Sequence, residues 1–201
     1  MLVFDLGKVL IDFDLNRAVE QVSKAADLPA HLVKKFLFDD GLEYQFEAGA
    51  FDFLTLHKRF EAHFNLSISR EVLAFAASDV FTPMPASIQF LQVLRQKYKA
   101  KIPFVLLSNT NEIHWDYIEK NWQVSQWFDH VILSFKVKSM KPSPEIYQEV
   151  ARMTGQAPET CFFVDDILAN VEGARRERLD AVLFSGVDSL SQDLLRRGIF
   201  I

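Results

Sequence analysis

Leu2-Val3-Phe4-Asp5-Leu6-Gly7 is a short β-type apolar run that ends in a carboxylate and a glycine, and the chain repeats this form. Comparable runs occur at Leu2 to Leu6, Ile102 to Leu107, His130 to Leu133, Cys161 to Val164 and Ala181 to Phe184. Each is bounded by turn-formers or polar residues, the pattern of buried strands. Amphipathic stretches of helical length fall around Pro85 to Tyr98, Asn111 to Trp122, Pro144 to Thr154 and Leu168 to Glu177. Alternating strands and helices predict an α/β fold, a Rossmann-like central parallel sheet flanked by helices.

From Leu15 to Thr82 the alternation stops. Phe36, Phe46, Phe51, Phe53, Leu54, Leu56, Phe60 and Phe64 keep a helical period, and no strand stands out, so this stretch is expected to be an all-helical insertion. Asp52 and Ser69 are placed to cap helices there. Thr82-Pro83-Met84-Pro85 reads as the hinge back into the sheet. The expected division is 1–14 with 83–201 as the core domain and 15–82 as a helical cap.

The 201 residues suffice for one domain carrying a smaller one. A net charge of -5 and the lack of a basic stripe argue against nucleic acid or an anionic membrane as partner. Cys161 has no cysteine to pair with, and its apolar run suggests a buried, inert thiol in a reducing compartment. The apolar runs are too short to span a membrane, and the first strand leaves no room for a signal peptide. A cytoplasmic protein, monomer or homodimer, is the expectation. The 19 phenylalanines suggest an aromatic-rich core rather than an apolar lid.

In an open parallel sheet the functional groups collect at the carboxyl ends of the strands. Three strands end in polar residues, at Asp5, at Ser108-Asn109-Thr110-Asn111 and at Asp165-Asp166, and Lys141 stands in the loop Ser139-Met140-Lys141-Pro142. Read singly, these are turn residues, helix caps and a solvated lysine. Together they supply a carboxylate nucleophile, a hydroxyl, a cation and a carboxylate pair, the parts that phosphoryl transfer uses. Asp5 is the candidate nucleophile. Asp5, Asp165, Asp166 and a backbone carbonyl near Gly7 could give Mg²⁺ its few oxygen ligands. Ser108 and Lys141 would hold the phosphoryl oxygens, and Asn109, Lys8 and Glu47 are candidates for substrate contact.

Phe4-Asp5-Leu6-Gly7, Leu107-Ser108-Asn109-Thr110, Lys141-Pro142 and Val164-Asp165-Asp166, in this order, resemble the four motifs of the haloacid dehalogenase superfamily. Any one is weak, but four in order are specific. The helical insertion falls where that family has its C1-type cap, and Phe46-Glu47-Ala48-Gly49 resembles its cap loop. Similarity continues in His114, in Ile146-Tyr147 and in Asn170-Val171-Glu172-Gly173-Ala174, toward the small bacterial sugar-phosphate phosphatases of the glucose-1-phosphate type. The resemblance implies a Mg²⁺-dependent phosphomonoesterase acting on a small phosphorylated metabolite through an aspartyl-phosphate. Two rivals are a dehalogenase using the same aspartate on carbon, and a catalytically silent metal-binding or regulatory module.

One position departs from the family. Most of its phosphatases carry a general acid and base aspartate two residues after the nucleophile, where this chain has Gly7. Positioned proton transfer contributes about 10²- to 10⁴-fold, so good leaving groups are expected to be favoured, and Gly7→Asp to help poor ones. Asp12 and Asp14 read as turn or cap residues rather than replacements.

Overall fold

The computed structural model describes residues 1–200. Strands β1 (Leu2–Phe4) and β2 (Ile11–Phe13) precede helices α1 (Leu15–Ala26), α2 (Ala30–Lys34), α3 (Leu42–Glu47), α4 (Phe53–Phe64) and α5 (Arg70–Ser78). The chain continues through β3 (Phe81–Pro83), α6 (Pro85–Tyr98), β4 (Phe104–Ser108), α7 (Glu112–Trp122), β5 (His130–Leu133) and α8 (Ser134–Val137). It ends with α9 (Pro144–Thr154), β6 (Phe162–Asp165), α10 (Leu168–Arg176), β7 (Asp180–Leu183) and α11 (Val187–Leu195).

Five strands form a parallel sheet in the order β5-β4-β1-β6-β7, so the chain first builds outward on one side of β1 and then on the other. That reversal leaves a crevice above the carboxyl end of β1. Alternate strand residues point to opposite faces. Leu2, Phe4, Phe104, Leu106, Phe162 and Val164 pack against α6, α7 and α11. Val3, Val105, Leu107 and Phe163 pack against α9 and α10. Burial on both faces is the physical reason why the strands read as unbroken apolar runs.

The helical segment has its own core, with Val22, Val33, Phe36, Phe46, Leu56, Phe60 and Leu73 among its buried members. Phe36 meets Phe60 edge-on at 5.5 Å between centroids, and Phe46 stacks on Phe51 at 5.8 Å, so much of the phenylalanine surplus lies here. Asp14, Asp52 and Ser69 cap α1, α4 and α5 with their side chains. His57 is buried, its Nε2 2.7 Å from the Ile68 carbonyl.

The sequence reading missed one element. β2 and β3 pair antiparallel, Ile11 with Pro83 and Phe13 with Phe81, where the chain leaves and re-enters the sheet layer. Part of the expected hinge is therefore strand. A three-residue ladder is too short to show alternation, and its partner lies far along the chain. No helix among the described residues is long and apolar enough to cross a membrane.

Candidate functional site

The crevice above β1 holds a group of polar side chains that the fold takes out of water. Asp5, one residue beyond β1, donates its backbone N–H to the Val164 carbonyl at 2.9 Å. Ser108 and Asp165 are the last residues of β4 and β6. Lys141 comes from the loop ahead of α9, and only 4% of its surface is exposed. Its ammonium lies 2.7 Å from Asp5 Oδ1 and 2.6 Å from Asp165 Oδ2, and it also donates to the Leu107 carbonyl at 2.9 Å. Burial works against the lysine charge, but the two carboxylates more than offset it and hold the group above the usual lysine range. Burial pushes Asp5 up to about 7 against the pull of Lys141. The half-buried Asp166 is raised by burial and by Asp165.

Neighbouring residues hold these groups in place. Asp165 accepts from the Ile167 N–H at 2.8 Å and from Asn170 Nδ2 at 3.0 and 3.2 Å. Tyr147 ties the Asn170 carbonyl to α9 at 2.8 Å. Asn109 grips the Lys141 backbone twice, accepting its N–H at 2.8 Å and donating to its carbonyl at 2.9 Å, so its first role is to place the lysine loop. Gly173 lets α10 approach that loop: a Cβ there would lie 2.9 Å from the Pro142 carbonyl oxygen and Cβ.

A cavity of about 350 Å³ opens over Gly7, Ser108, Asn109 and Thr110. Its far wall comes from the cap and the β2–β3 ladder, with Phe13, Phe38, Glu43, Glu47 and Phe81, and His114 also borders it. The structure thus brings together Asp5, Ser108, Asn109, Lys141, Asp165 and Asp166, with Gly7 and Glu47 on the cavity. Lys8 does not join them: it is exposed, paired with Asp12, and donates to the Phe13 carbonyl at 2.9 Å. Ser108 and Asn109 do not cap α7; Asn111 does, accepting the His114 N–H at 3.0 Å.

Glu43 and Ser134 were not singled out from the sequence. Ser134 Oγ lies 2.7 Å from the Glu47 carbonyl and 2.9 Å from that of Thr110, and accepts the Thr110 N–H at 2.9 Å. Since Ser134 directly follows β5, the strand-end rule that picked Asp5 and Ser108 could have found it.

Oxygens of Asp5, Asp165 and Asp166 lie within 4.8 Å of one another. Clustered carboxylates with backbone close by suit a hard cation with a partial protein shell, and Mg²⁺ fits that description. Residues 1–177 match the haloacid dehalogenase-like hydrolase family. The chain belongs to that family. Like other haloacid dehalogenase-like hydrolases, it has phosphatases among its relatives. The D-ribitol-5-phosphate phosphatase of Bacteroides thetaiotaomicron is 25% identical over 85% of this chain and 84% of its own. A flavin mononucleotide hydrolase of Arabidopsis thaliana is 33% identical over 87 residues, 43% of this chain and 36% of the relative. The crystal structure of a haloacid dehalogenase family enzyme from B. thetaiotaomicron, complexed with magnesium and inorganic phosphate, superposes with a TM-score of 0.81. It is 28% identical, over 93% of this chain and 95% of that one.

Proposed function

We propose that this chain hydrolyses a small phosphorylated metabolite, a sugar or polyol phosphate, through an aspartyl-phosphate on Asp5. The observation that carries the reading is Lys141, whose ammonium bridges Asp5 and Asp165 beside a cavity lined by Leu6, Gly7 and Ser108. A buried cation beside a nucleophilic carboxylate stabilises the charge of a transferring phosphoryl group. Asp5 attacks phosphorus in line, the leaving oxygen departs toward the cap, and water then cleaves the acyl phosphate. Lys141 and the Ser108 hydroxyl hold phosphoryl oxygens, Asn109 fixes the Lys141 loop, and the cap excludes bulk water. Mg²⁺, held by Asp5, Asp165, the Gly7 carbonyl and Asp166, would neutralise phosphoryl charge and keep the carboxylates ionised together.

The substrate class draws support from the ribitol-phosphate relative and from Glu43 and Glu47, which can accept hydrogen bonds from hydroxyls. A second reading, a phosphate ester whose alcohol carries an aromatic ring system, such as flavin mononucleotide, is favoured by the Phe13, Phe38 and Phe81 wall and by the flavin mononucleotide hydrolase relative.

Phosphate release from p-nitrophenyl phosphate, acetyl phosphate, flavin mononucleotide and a panel of sugar and polyol phosphates, with and without Mg²⁺, tests both. The expected result is Mg²⁺-dependent turnover that Asp5→Asn abolishes, with a polyol or sugar phosphate giving the highest kcat/KM. Wild-type turnover no higher than that of Asp5→Asn on every substrate rejects the phosphatase reading.

A further inference from the structure

In-line attack by Asp5 from the sheet side places the leaving oxygen, and later the attacking water, on the cap side. A general acid for the first step and a base for the second therefore belong where the cap faces Gly7. Position 7 cannot supply one. The residue has no side chain, and a Cβ there would lie 2.9 Å from Cε1 of Phe13, so the ring fills that space.

The cap brings two carboxyls to the same cavity. Glu43 and Glu47 are one turn apart on α3, hence on one helix face, and both border the cavity with Gly7 and Ser108. A carboxyl oxygen of each lies within 4.8 Å of the other and of a His114 ring nitrogen. Glu43 accepts from Asn111 Nδ2 at 2.8 Å. Among the described residues no group hydrogen-bonds the Glu47 carboxyl, although the backbone beneath it is fixed. Ser134 Oγ donates to the Glu47 carbonyl, and Gly49 packs so closely on Phe135 that a Cβ would lie 2.2 Å from the Phe135 carbonyl oxygen. A rigidly mounted, unpartnered carboxyl on the leaving-group side has the placement of a proton carrier.

We propose that Glu47 is the general acid and base of this reaction, in the role of the aspartate that Gly7 lacks, with Glu43 as its positioning residue. The inference rests on the phosphatase reading. In the first step the bond from Asp5 Oδ to phosphorus forms, the bond from phosphorus to the leaving oxygen breaks, and that oxygen takes the Glu47 proton and departs as an alcohol. In the second step water attacks phosphorus and gives a proton back to Glu47, the bond from phosphorus to Asp5 breaks, and inorganic phosphate leaves. Ester plus water becomes alcohol plus phosphate, and the enzyme is restored.

The charges around the pair favour this. Burial pushes Glu47 up to about 7, opposed only by Lys141. Burial, then Glu47, pushes Glu43 up to about 8, opposed by the Asn111 amide. His114 is driven down to about 4 by burial, so it faces the pair neutral and adds no positive charge. Two close carboxyls without a cation between them share a proton near neutral pH. With this donor, substrates are not confined to good leaving groups.

The test uses the full chain with Mg²⁺ on p-nitrophenyl phosphate, substituted aryl phosphates and glycerol phosphate. Wild type is expected to show little dependence of kcat/KM on leaving-group pKa. Glu47→Gln should lose about 10²- to 10⁴-fold on glycerol phosphate, keep a p-nitrophenol burst, and accumulate aspartyl-phosphate, seen as a mass increase on Asp5. Glu43→Gln should reduce the alkaline limb of the kcat/KM profile to a single ionisation, since Glu47 then titrates without a second carboxyl beside it. A steep leaving-group dependence in wild type, or equal losses on all substrates in Glu47→Gln without an intermediate, overturns the proposal while leaving the phosphatase reading intact. Wild-type inactivity on every phosphate overturns both.

Discussion

Two sets of carboxyls line the approaches to one crevice, and the protein handles them in opposite ways. In the sheet, Asp5 and Asp165 share the Lys141 ammonium, and Asp165 also takes hydrogen bonds from Ile167 and Asn170. In the cap, Glu43 has an amide and Glu47 has no hydrogen-bond partner among the described residues. Asp5 and Asp165 are buried and Glu43 and Glu47 partly so, and withdrawal from water penalises charge. A cation within 3 Å of both sheet carboxylates pulls against the effect of burial on Asp5. Among the described residues no cation lies that close to the cap carboxyls, and burial raises Glu43 and Glu47. The sheet thus pairs its carboxylates with a buried cation, whereas the cap leaves its carboxyls without one.

The strongest way to break this contrast is to remove the shared cation. Lys141→Met keeps the bulk but leaves Asp5 and Asp165 facing each other unpaired. Breaking a buried pair by removing one partner costs roughly 3–5 kcal/mol. Urea unfolding of the metal-free protein should show a loss of that size, with part of it recovered on adding Mg²⁺, which returns positive charge to the same carboxylates. A loss near zero would mean that the carboxylates are already neutral, and the contrast with the cap would fail.

Gly173→Ala is a smaller perturbation whose sign is informative. Helix propensity alone would make the change stabilising by about 1 kcal/mol. The new Cβ would meet the Pro142 carbonyl oxygen at 2.9 Å, a backbone atom that cannot swing aside, so a net destabilisation of about 1–3 kcal/mol is expected. The strain falls on the loop that carries Lys141, and kcat should drop with stability. Stabilisation with unchanged kcat would show that the loop tolerates displacement.

The sheet layer was far more legible in the sequence than the cap. Helices α6 and α9 were expected at Pro85 to Tyr98 and Pro144 to Thr154 and are found there. Strands buried on both faces are simple apolar runs, and their polar ends mark the site, which is how Asp5, Ser108 and Asp165 came to notice. Lys141 had only its loop and its family resemblance to recommend it. Glu43 carried no comparable signal, because an acidic pair one turn apart usually lies on a solvated helix face. Its setting depends on Asn111 and His114, which only the folded chain brings near. Phe13 illustrates the same limit from the other side. Gly7 signalled a missing aspartate, but the ring occupying its place belongs to a ladder too short to read.

The finest test of the contrast is a pH dependence that the cap alone should produce. Glu43 in the unfolded chain loses its proton near its ordinary value of 4.5, whereas in the folded protein it holds it to about 8. Between those values the folded state binds more protons than the unfolded one, so stability falls as pH rises. A depressed carboxylate such as Asp79, held down by Tyr117 and then by Arg17, contributes with the opposite sign and at lower pH. Glu43→Gln removes one raised carboxyl without emptying its space. The expected outcome is a shallower fall in the urea midpoint of the metal-free protein between pH 5 and pH 8, and a variant more stable than wild type at the alkaline end. The reverse order at pH 8 would mean that Glu43 is ionised in the folded protein and has found a compensating charge. The cap carboxyls would then be held as the sheet carboxylates are, and the contrast between the layers would be lost.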